Sequence, residues 1–323
     1  MLSVYLFDQQ EGKELEGWAD ELRGLGNNEV LWFDLEDGSR DEAREVGEAL
    51  GLGDVDLIAD VDEKPSLVQR ENHLQVTAVG IAFPGEGSSP ERVPIRCFIG
   101  ENWILTTHTA KLEVLEDFRE RIKGGGGVGS LDAASFLALL LAWVVTGYLQ
   151  ALDTIEVELE EFDVAVLSSP HGDAEEHIGA LVEIRQRVGA LRRSLALHRD
   201  LFAMLTAAEF DPLSSEESAA KFGELAAKTD AALAAARDAR DSVTGSFDVL
   251  IARAEHRTSE IVKILTIASI LLLPGALIAG VMGMNVNFKL SVFAHSEVFL
   301  VAVAAIVLVA AVTLGVARTR RWI

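Results

Sequence analysis

The sequence predicts an α/β domain, then a long helical stalk, then two C-terminal transmembrane helices. Three observations support this class. Short β-branched and aromatic runs alternate with amphipathic stretches in residues 1–125. The only proline between residues 216 and 284 is Pro274, so one helix can cover this stretch. Two uncharged apolar runs follow, 19 residues at 264–282 and 20 residues at 298–317.

The first 125 residues read as a mixed sheet with helices. Strands are predicted at 3–7, 30–34, 73–83, 93–99 and 103–107. Helices are predicted near 12–24, 39–50 and 111–122. The glycine-rich segment 123–130 (KGGGGVGS) marks a flexible boundary after this α/β domain.

Residues 131–212 are predicted to be a helical, coiled-coil-like region. The apolar stretch 131–149 has an uncharged core of only some 17 residues and leads directly into a charged amphipathic helix. That favours a packed cytoplasmic helix, with a third membrane span as the alternative. Apolar residues at three- and four-residue steps then continue from Leu152 to Phe202.

The stalk is predicted to be one helix over residues 216–284. At 1.5 Å per residue it would be about 100 Å long. Its last part, about 264–283, is the first predicted membrane span, because a bilayer core of about 30 Å needs roughly 20 apolar residues. An external loop at 285–297, a second span at 298–317 and a basic tail at 318–323 complete the chain. A buried hairpin in a soluble core is the alternative for the two apolar runs.

The charges around the two spans predict their orientation. Basic residues precede the first span and follow the second, while the connecting loop carries only Lys289. By the positive-inside rule, both termini are cytoplasmic in a multi-pass protein of the cell membrane. The whole chain carries −23, and residues after 260 hold one acid against five bases, so the first 260 residues carry −27. Such an acidic body disfavours nucleic acid and attracts cations.

Other composition signals exclude several classes of function. A single cysteine, Cys97, excludes an intramolecular disulfide. The first residues have neither the basic nor the apolar part of a secretory signal, so no such signal is expected. The seven histidines are scattered, without an HExxH pair or zinc-ligand spacing, and no phosphate-binding glycine motif is present. We therefore expect no enzyme activity and no resident cofactor.

Small or polar residues recur on one face of the first span and its approach. They are Ser259, Thr266, Ser269, Ala276 and Gly280, with Val262 and Leu273 on the same spacing. Small residues at this spacing allow close helix packing. The same face could line a pore formed by several copies of the helix. Spacing alone leaves both interpretations open.

Three segments of the sequence carry a resemblance to a known family. Residues 257–285 end in Gly283-Met284-Asn285 and are followed by one more span and a terminal RTRRWI. Together with the arginine-rich helix at 183–201 and the acidic stretch at 56–68, this arrangement resembles the CorA family of divalent-cation transporters. The resemblance covers nearly the whole chain and is densest from about residue 250 onward.

The resemblance implies a funnel-shaped homopentamer whose long helices line a pore through the lipid bilayer. Its filter would be Gly283, Met284 and Asn285, with the Asn285 ring at the outer mouth. Seven residues would line the pore between the filter and the cytoplasm: Ser259, Val262, Leu265, Ser269, Leu273, Ala276 and Gly280. The implied cargo is Mg²⁺, with Co²⁺ or Ni²⁺ as further substrates. Uncharged amide oxygens suit Mg²⁺ that keeps its waters, and the apolar positions could form a hydrophobic constriction.

Regulatory metal sites are also implied, at Asp56, Glu224 and Asp248, facing one another between subunits. The chain departs from the family at four places. Leu57 replaces the second acid of a pair, and Ser259 stands where an asparagine is frequent. Gly275-Ala276 stands where the family has a threonine after the membrane proline, and Lys289 lies in a loop that is acidic in many members. Two alternatives follow. One is a Zn²⁺ transporter of the ZntB type; the other, of a different class, is a membrane-anchored metal sensor.

Overall fold

The computed structural model describes residues 1–7, 12–26, 29–53, 55–58, 64–82, 91–123, 132–168, 174–206, 216–283 and 295–319. Two compact units divide the chain, Met1–Phe247 and Asp248–Ile323. The predicted regions 1–125 and 131–212 both lie within the first unit, and the boundary between them stays a prediction.

A seven-stranded mixed sheet forms the centre of the first unit. Its strands are β1 (Leu2–Phe7), β2 (Gly12–Glu14), β3 (Val30–Glu36), β4 (Ser66–Gln69), β5 (Leu74–Ala82), β6 (Glu91–Ile99) and β7 (Trp103–His108). The strand order is β2-β1-β3-β7-β6-β5-β4. Only the central pair β3–β7 is parallel, and its register sets Asp34 beside Thr106 and Glu36 beside His108.

Helices cover the sheet on both faces. They are α1 (Ala19–Gly24), α2 (Arg40–Ala49), α3 (Glu113–Lys123), α4 (Ala133–Ser168) and α5 (Ala174–Thr206). Successive side chains of β3 point to opposite faces of the sheet. Leu31 and Phe33 join the core under α2. Trp32 packs on the other face, against Phe118 of α3 and Phe136 of α4. Both faces of β3 are therefore buried, which explains its continuous apolar sequence.

The predicted helix at 12–24 is wrong in its first half. Residues 12–14 form β2, and the Leu15 amide extends the pairing by donating to the Val4 carbonyl at 2.9 Å. The helical pattern came from Leu15, Trp18, Leu22 and Leu25, all of which pack on the sheet core. Their three- and four-residue steps imitate a helix, although only residues 19–24 are helical. Strand β4 was also missed, because it is a short, half-exposed strand at the sheet edge.

The predicted packed helix at 131–149 is the first half of α4. This helix passes the length and hydropathy test for a membrane span, but 67% of its apolar window is buried inside the protein. It contacts β5 and α3. The burial agrees with a core helix and not with a third span.

Helix α6 (Glu216–Gly283) is continuous over 68 residues and contains Pro274. Its part in the first unit has a buried heptad-like stripe: Ser218, Phe222, Leu225, Thr229, Ala232, Ala236, Ala239, Val243 and Ser246. After residue 247 no described residue of α6 is buried. The apolar window of Ser218–Gly280 is 0% buried and long enough to cross a membrane. Helix α7 (His295–Thr319) follows in the second unit.

Candidate pore-lining helix

The seven predicted pore-lining residues lie on one exposed face of α6. All are exposed in the single chain: Ser259, Val262, Leu265, Ser269, Leu273, Ala276 and Gly280. At 3.6 residues per turn, their steps of three and four keep them on one side of the helix. The apolar members Val262, Leu265 and Leu273 are 54%, 64% and 68% exposed. A continuous exposed apolar face of this kind marks a surface that acts against lipid, another chain or a lumen.

The opposite face of α6 is turned toward α7. The half-buried residues of this stretch are Lys263, Thr266, Ile267, Ala268, Leu271, Pro274, Gly275 and Ile278. At about 100° per residue, the middle of this half-buried face lies on the opposite side of the helix from Val262 and Ser269. A methyl group added at Gly275 would lie 3.6 Å from Cγ2 of Ile306 on α7. The half-buried residues of α7 also form one face: Ala305, Ile306, Val309, Ala310 and Thr313. Helix α7 therefore covers the back of α6 and leaves the predicted pore face free.

Hydroxyl groups on α6 are held by its own backbone. The Ser269 hydroxyl donates to the Leu265 carbonyl at 2.8 Å, and the Thr266 hydroxyl donates to the Val262 carbonyl at 2.7 Å. Each hydroxyl uses its single proton in this bond, so its lone pairs remain available as acceptors. On the exposed face, the Ser269 oxygen can therefore accept a hydrogen bond from water bound to a cation.

The predicted filter lies at the end of this helix. Gly283 is the last residue of α6. Met284 and Asn285 fall outside the residues that the structure describes. Their role stays a prediction that rests on the sequence motif.

The three acids predicted to bind regulatory metal are all exposed. The Asp56 carboxylate accepts from the Ile58 amide at 3.2 Å, while the buried neighbour Leu57 joins the sheet core. Glu224 and Asp248 are on α6. In the described part of the chain, no group of three or more His, Cys, Asp or Glu residues could hold a metal ion. One chain therefore does not assemble these acids into a complete site.

A buried ionic network that the sequence analysis missed joins β3, β7 and α3. Asp34 is 1% exposed, and its carboxylate faces His108 Nε2 at 3.2 Å and hydrogen-bonds the Thr106 hydroxyl and the Arg119 guanidinium. Burial raises the pKa of Asp34, but His108, Arg119 and Thr106 outweigh it and hold the pKa below its usual value. The available signal was Asp34, an acid between apolar residues inside the strand VLWFDLE, since a buried carboxylate requires partners.

A second buried network connects α4 and α5 to β5. The Val79 amide donates to His198 Nε2 at 3.0 Å, and the Val79 carbonyl accepts from the Tyr148 hydroxyl at 2.8 Å. Pro94, opposite Val79 in β6, has no N–H to donate, and β4 pairs only as far as Thr77. Side chains from the helices thus satisfy backbone groups where the strand ladder is incomplete.

Sequence comparison identifies the family. The family of CorA-like Mg²⁺ transporter proteins matches residues 27–318, which is most of the chain. The chain belongs to this CorA-like family. Membership makes it a membrane transport protein and not an enzyme.

Individual relatives agree with this assignment. The Cobalt/magnesium transport protein CorA of Thermotoga maritima is 25% identical over 256 residues, covering 77% of this chain and 70% of the relative. The protein of the same name from Methanocaldococcus jannaschii is 22% identical over 323 residues, covering 97% and 98%. Both matches extend well beyond the membrane-spanning part of the CorA-like chain.

Solved structures share the fold. The complete structure of the CorA magnesium transporter from Methanocaldococcus jannaschii aligns with a TM-score of 0.78 at 19% identity, covering 100% of this chain and 99% of that chain. The ZntB cytoplasmic domain from Vibrio parahaemolyticus aligns with a TM-score of 0.59 at 15% identity, covering 79% and 98%. The CorA and ZntB branches thus have this fold in common, and the fold does not separate Mg²⁺ from Zn²⁺.

Proposed function

We propose that this CorA-like chain forms a homopentameric pore that conducts Mg²⁺ across the cell membrane, with both termini in the cytoplasm. Five copies of α6 line the pore, and α7 lies outside them. The observation that supports the proposal is that the two faces of α6 differ in burial after residue 247. One face is half-buried toward α7, and the face with Ser269 and Leu273 is exposed.

The filter is an Asn285 ring at the end of α6. Mg²⁺ loses its hydration water reluctantly, so a neutral amide oxygen can hydrogen-bond the hydrated ion without stripping it. A carboxylate ring could retain the ion too strongly, whereas conduction requires release. Below the filter, the Ser269 hydroxyl supports the same hydrated ion, since its lone pairs are free.

The closed pore is a hydrophobic constriction. Val262, Leu265 and Leu273 are the large apolar residues among the seven proposed pore-lining positions. Side chains of this kind exclude water when five copies approach, and the excluded water blocks a hydrated ion. Opening requires the helices to separate enough for the constriction to be wetted.

The choice of Mg²⁺ rests on ligand chemistry and on the family. The seven pore-lining positions and the filter contain no cysteine or histidine, the ligands that favour Zn²⁺. Both relatives described above carry the name of cobalt/magnesium transport proteins. A Zn²⁺ transporter of the ZntB type is the second candidate, supported by fold alone.

Cytoplasmic metal regulates the pore through Asp56, Glu224 and Asp248. Each carboxylate is exposed, so it is available to an ion shared with a neighbouring subunit. Binding there holds the subunits together when cytoplasmic Mg²⁺ is plentiful, and release on depletion permits opening. Acids with few partners bind such ions weakly, which suits a sensor of millimolar metal.

Ion flux into proteoliposomes tests the proposal. Purified oligomer is reconstituted, and uptake of Mg²⁺, Co²⁺, Ni²⁺ and Zn²⁺ is compared with and without a proton gradient. The proposal expects Mg²⁺ uptake without a proton gradient, inhibited by internal Mg²⁺. Zn²⁺ uptake that depends on protons would favour the ZntB-type alternative. Complete absence of divalent flux from an intact oligomer would favour the membrane-anchored sensor.

A further inference from the structure

An arginine-lined cleft lies between α5 and α6 in the first unit, and none of its lining residues belongs to the predicted filter or the predicted regulatory acids. Its volume is ≈ 710 Å³, and its lining consists of Val182, Arg185, Gln186, Val188, Gly189, Arg192, Arg193 and Arg240. Small-molecule sites in proteins have volumes of roughly 300–1,000 Å³. None of the described residues that line the cleft is an acid, although the chain as a whole carries −23.

Among the described residues, none of the four arginines of the cleft forms an ion pair with a carboxylate. Two other arginines of the same helix do: Arg187 contacts Glu158 at 2.8 Å, and Arg199 contacts Asp200 at 3.9 Å. In so acidic a protein, four unpaired guanidinium groups around one cleft form a local positive site. An anion repelled elsewhere on the surface would be attracted there at short range.

Gly189 makes room for one of these guanidinium groups. A methyl group added at Gly189 would lie 3.4 Å from a terminal guanidinium nitrogen of Arg193. Gly189 and Arg193 both line the cleft, and the Arg193 guanidinium lies beside the backbone of Gly189. Arg240 reaches the cleft from α6, so the positive groups come from two helices. This is a convergent arrangement and not a single charged helix face.

We propose that this cleft binds a small anion with several linked phosphate groups. Arginine presents a planar set of donors that matches phosphate oxygens in pairs. Arg185 and Arg192 are seven residues apart, about 10 Å along α5. A polyphosphate chain is long enough to contact guanidinium groups from two backbone positions this far apart. The valines and Gln186 leave space for a further group on the ligand.

Two probes distinguish the source of the phosphate groups. Inorganic tripolyphosphate and ATP are titrated separately into the full-length protein in detergent, by calorimetry in metal-free buffer. Both are expected to bind, and tighter binding of ATP would identify a nucleotide ligand. Affinity should fall as salt rises from about 50 mM to about 500 mM, because exposed charges are screened.

Matched substitutions locate the site. Arg193→Gln and Arg240→Gln should each weaken binding by about tenfold or more, since each removes charge-assisted hydrogen bonds to phosphate. Arg199→Gln removes the same charge from the same helix outside the cleft and should leave affinity unchanged.

Three outcomes would overturn the assignment. The first is that neither tripolyphosphate nor ATP binds. The second is that Arg199→Gln weakens binding as much as Arg193→Gln, which would indicate diffuse charge attraction. The third is that Arg193→Gln and Arg240→Gln change the oligomer size and leave the affinity for both anions unchanged, so the arginines serve contacts between copies. Ion flux is not a readout here, so the outcome is independent of the transport proposal.

Discussion

His108 and Asp34 form a buried ion pair between neighbouring strands, with His108 Nε2 3.2 Å from an Asp34 carboxylate oxygen. The other ring nitrogen, Nδ1, lies 2.7 Å from the Ala110 carbonyl oxygen. Both nitrogens face acceptors, so both must donate, and the ring is held as an imidazolium. Burial lowers the pKa of His108, but Asp34 and Ala110 outweigh burial and raise the pKa above its usual value.

Asp34→Asn should lower the free energy of unfolding by about 3 kcal/mol, because the change removes the charge that compensates buried His108 and Arg119. Thermal unfolding of the full chain in detergent, followed by circular dichroism, measures the effect. Asp41→Asn is the matched control, since Asp41 is exposed and its pair with Arg44 is worth at most about 1 kcal/mol. Equal losses in the two variants would contradict the structural role of the network.

His198 has the opposite electrostatic setting. Its Nε2 accepts from the Val79 amide, and its Nδ1 lies 2.9 Å from the Ser194 carbonyl, so the ring is held neutral. Burial lowers its pKa to about 4. The unfolded chain takes up a proton near pH 6.5 and the folded chain does not. Neutral His198 therefore contributes up to about 3 kcal/mol to the free energy of unfolding above about pH 6.5. This contribution is lost as the pH falls toward 4.

The two histidines together predict a stability maximum near pH 6.5. Because the pKa of His108 is raised in the folded chain, His108 contributes fully to the free energy of unfolding below about pH 6.5. This contribution is lost as the pH rises through the folded pKa. Unfolding midpoints across pH 4–9 test both arms. His198→Gln should flatten the acid arm, although it lowers stability overall. His256→Gln, at an exposed site, should leave both arms unchanged. Burial also lowers the pKa of His73, which leaves a shallower acid arm. An acid arm of undiminished depth in His198→Gln would contradict the assignment to the His198 ring.

Much of this fold is readable from the sequence, because local patterns determine it. The apolar strand β3, the capping box of Ser39 and Glu42 on α2, and the uninterrupted α6 each follow from nearby residues. The buried networks do not. Asp34 meets His108 and Arg119 across 74 and 85 residues, and only the parallel pairing of β3 with β7 brings the first two together. The apolar sequence of β3 indicates that Asp34 needs a partner, but it does not indicate which residue that partner is.

The candidate pore face could be predicted from the sequence only in part. Periodicity placed Ser269 and Leu273 on one side of α6 but could not separate helix packing from a lumen. A methyl group added at Gly275 would lie 3.6 Å from Ile306, so α7 lies on the other side of α6 at this position. Packing within the chain therefore uses the opposite face, which favours the lumen interpretation for Ser269 and Leu273.

Leu273→Ala and Leu271→Ala should have different effects. Leu273 is 68% exposed on the proposed pore face, so truncating it widens the hydrophobic constriction and should raise Mg²⁺ flux several-fold. Leu271 is half-buried on the side toward α7, so the same truncation should reduce stability without raising flux. Proteoliposome flux and thermal unfolding are measured on both variants. Increased flux in Leu271→Ala alone would reverse the assignment of the two faces.

Asp56→Asn should weaken inhibition by internal Mg²⁺. The amide oxygen of asparagine can still accept from the Ile58 amide, so the local turn is kept while the charge is lost. We expect the Mg²⁺ concentration for half-inhibition to rise several-fold, with maximal flux unchanged. The matched control is again Asp41→Asn, an exposed acid outside the proposed site. Unchanged inhibition in Asp56→Asn would remove this residue from the regulatory set.

Asn285→Ala tests the proposed filter directly. Each of five subunits would lose the amide that hydrogen-bonds hydrated Mg²⁺, so flux should fall at least about tenfold, as expected when several hydrogen bonds of about 1 kcal/mol each are removed. Asn287→Ala is the matched control, with the same substitution two residues further along the loop. It should retain most of the flux, and both variants should keep the oligomer size of the parent. Parent-level flux in Asn285→Ala would exclude the ring as the selective element. Loss in both variants would indicate that the whole loop, and not one amide, holds the ion at the outer mouth.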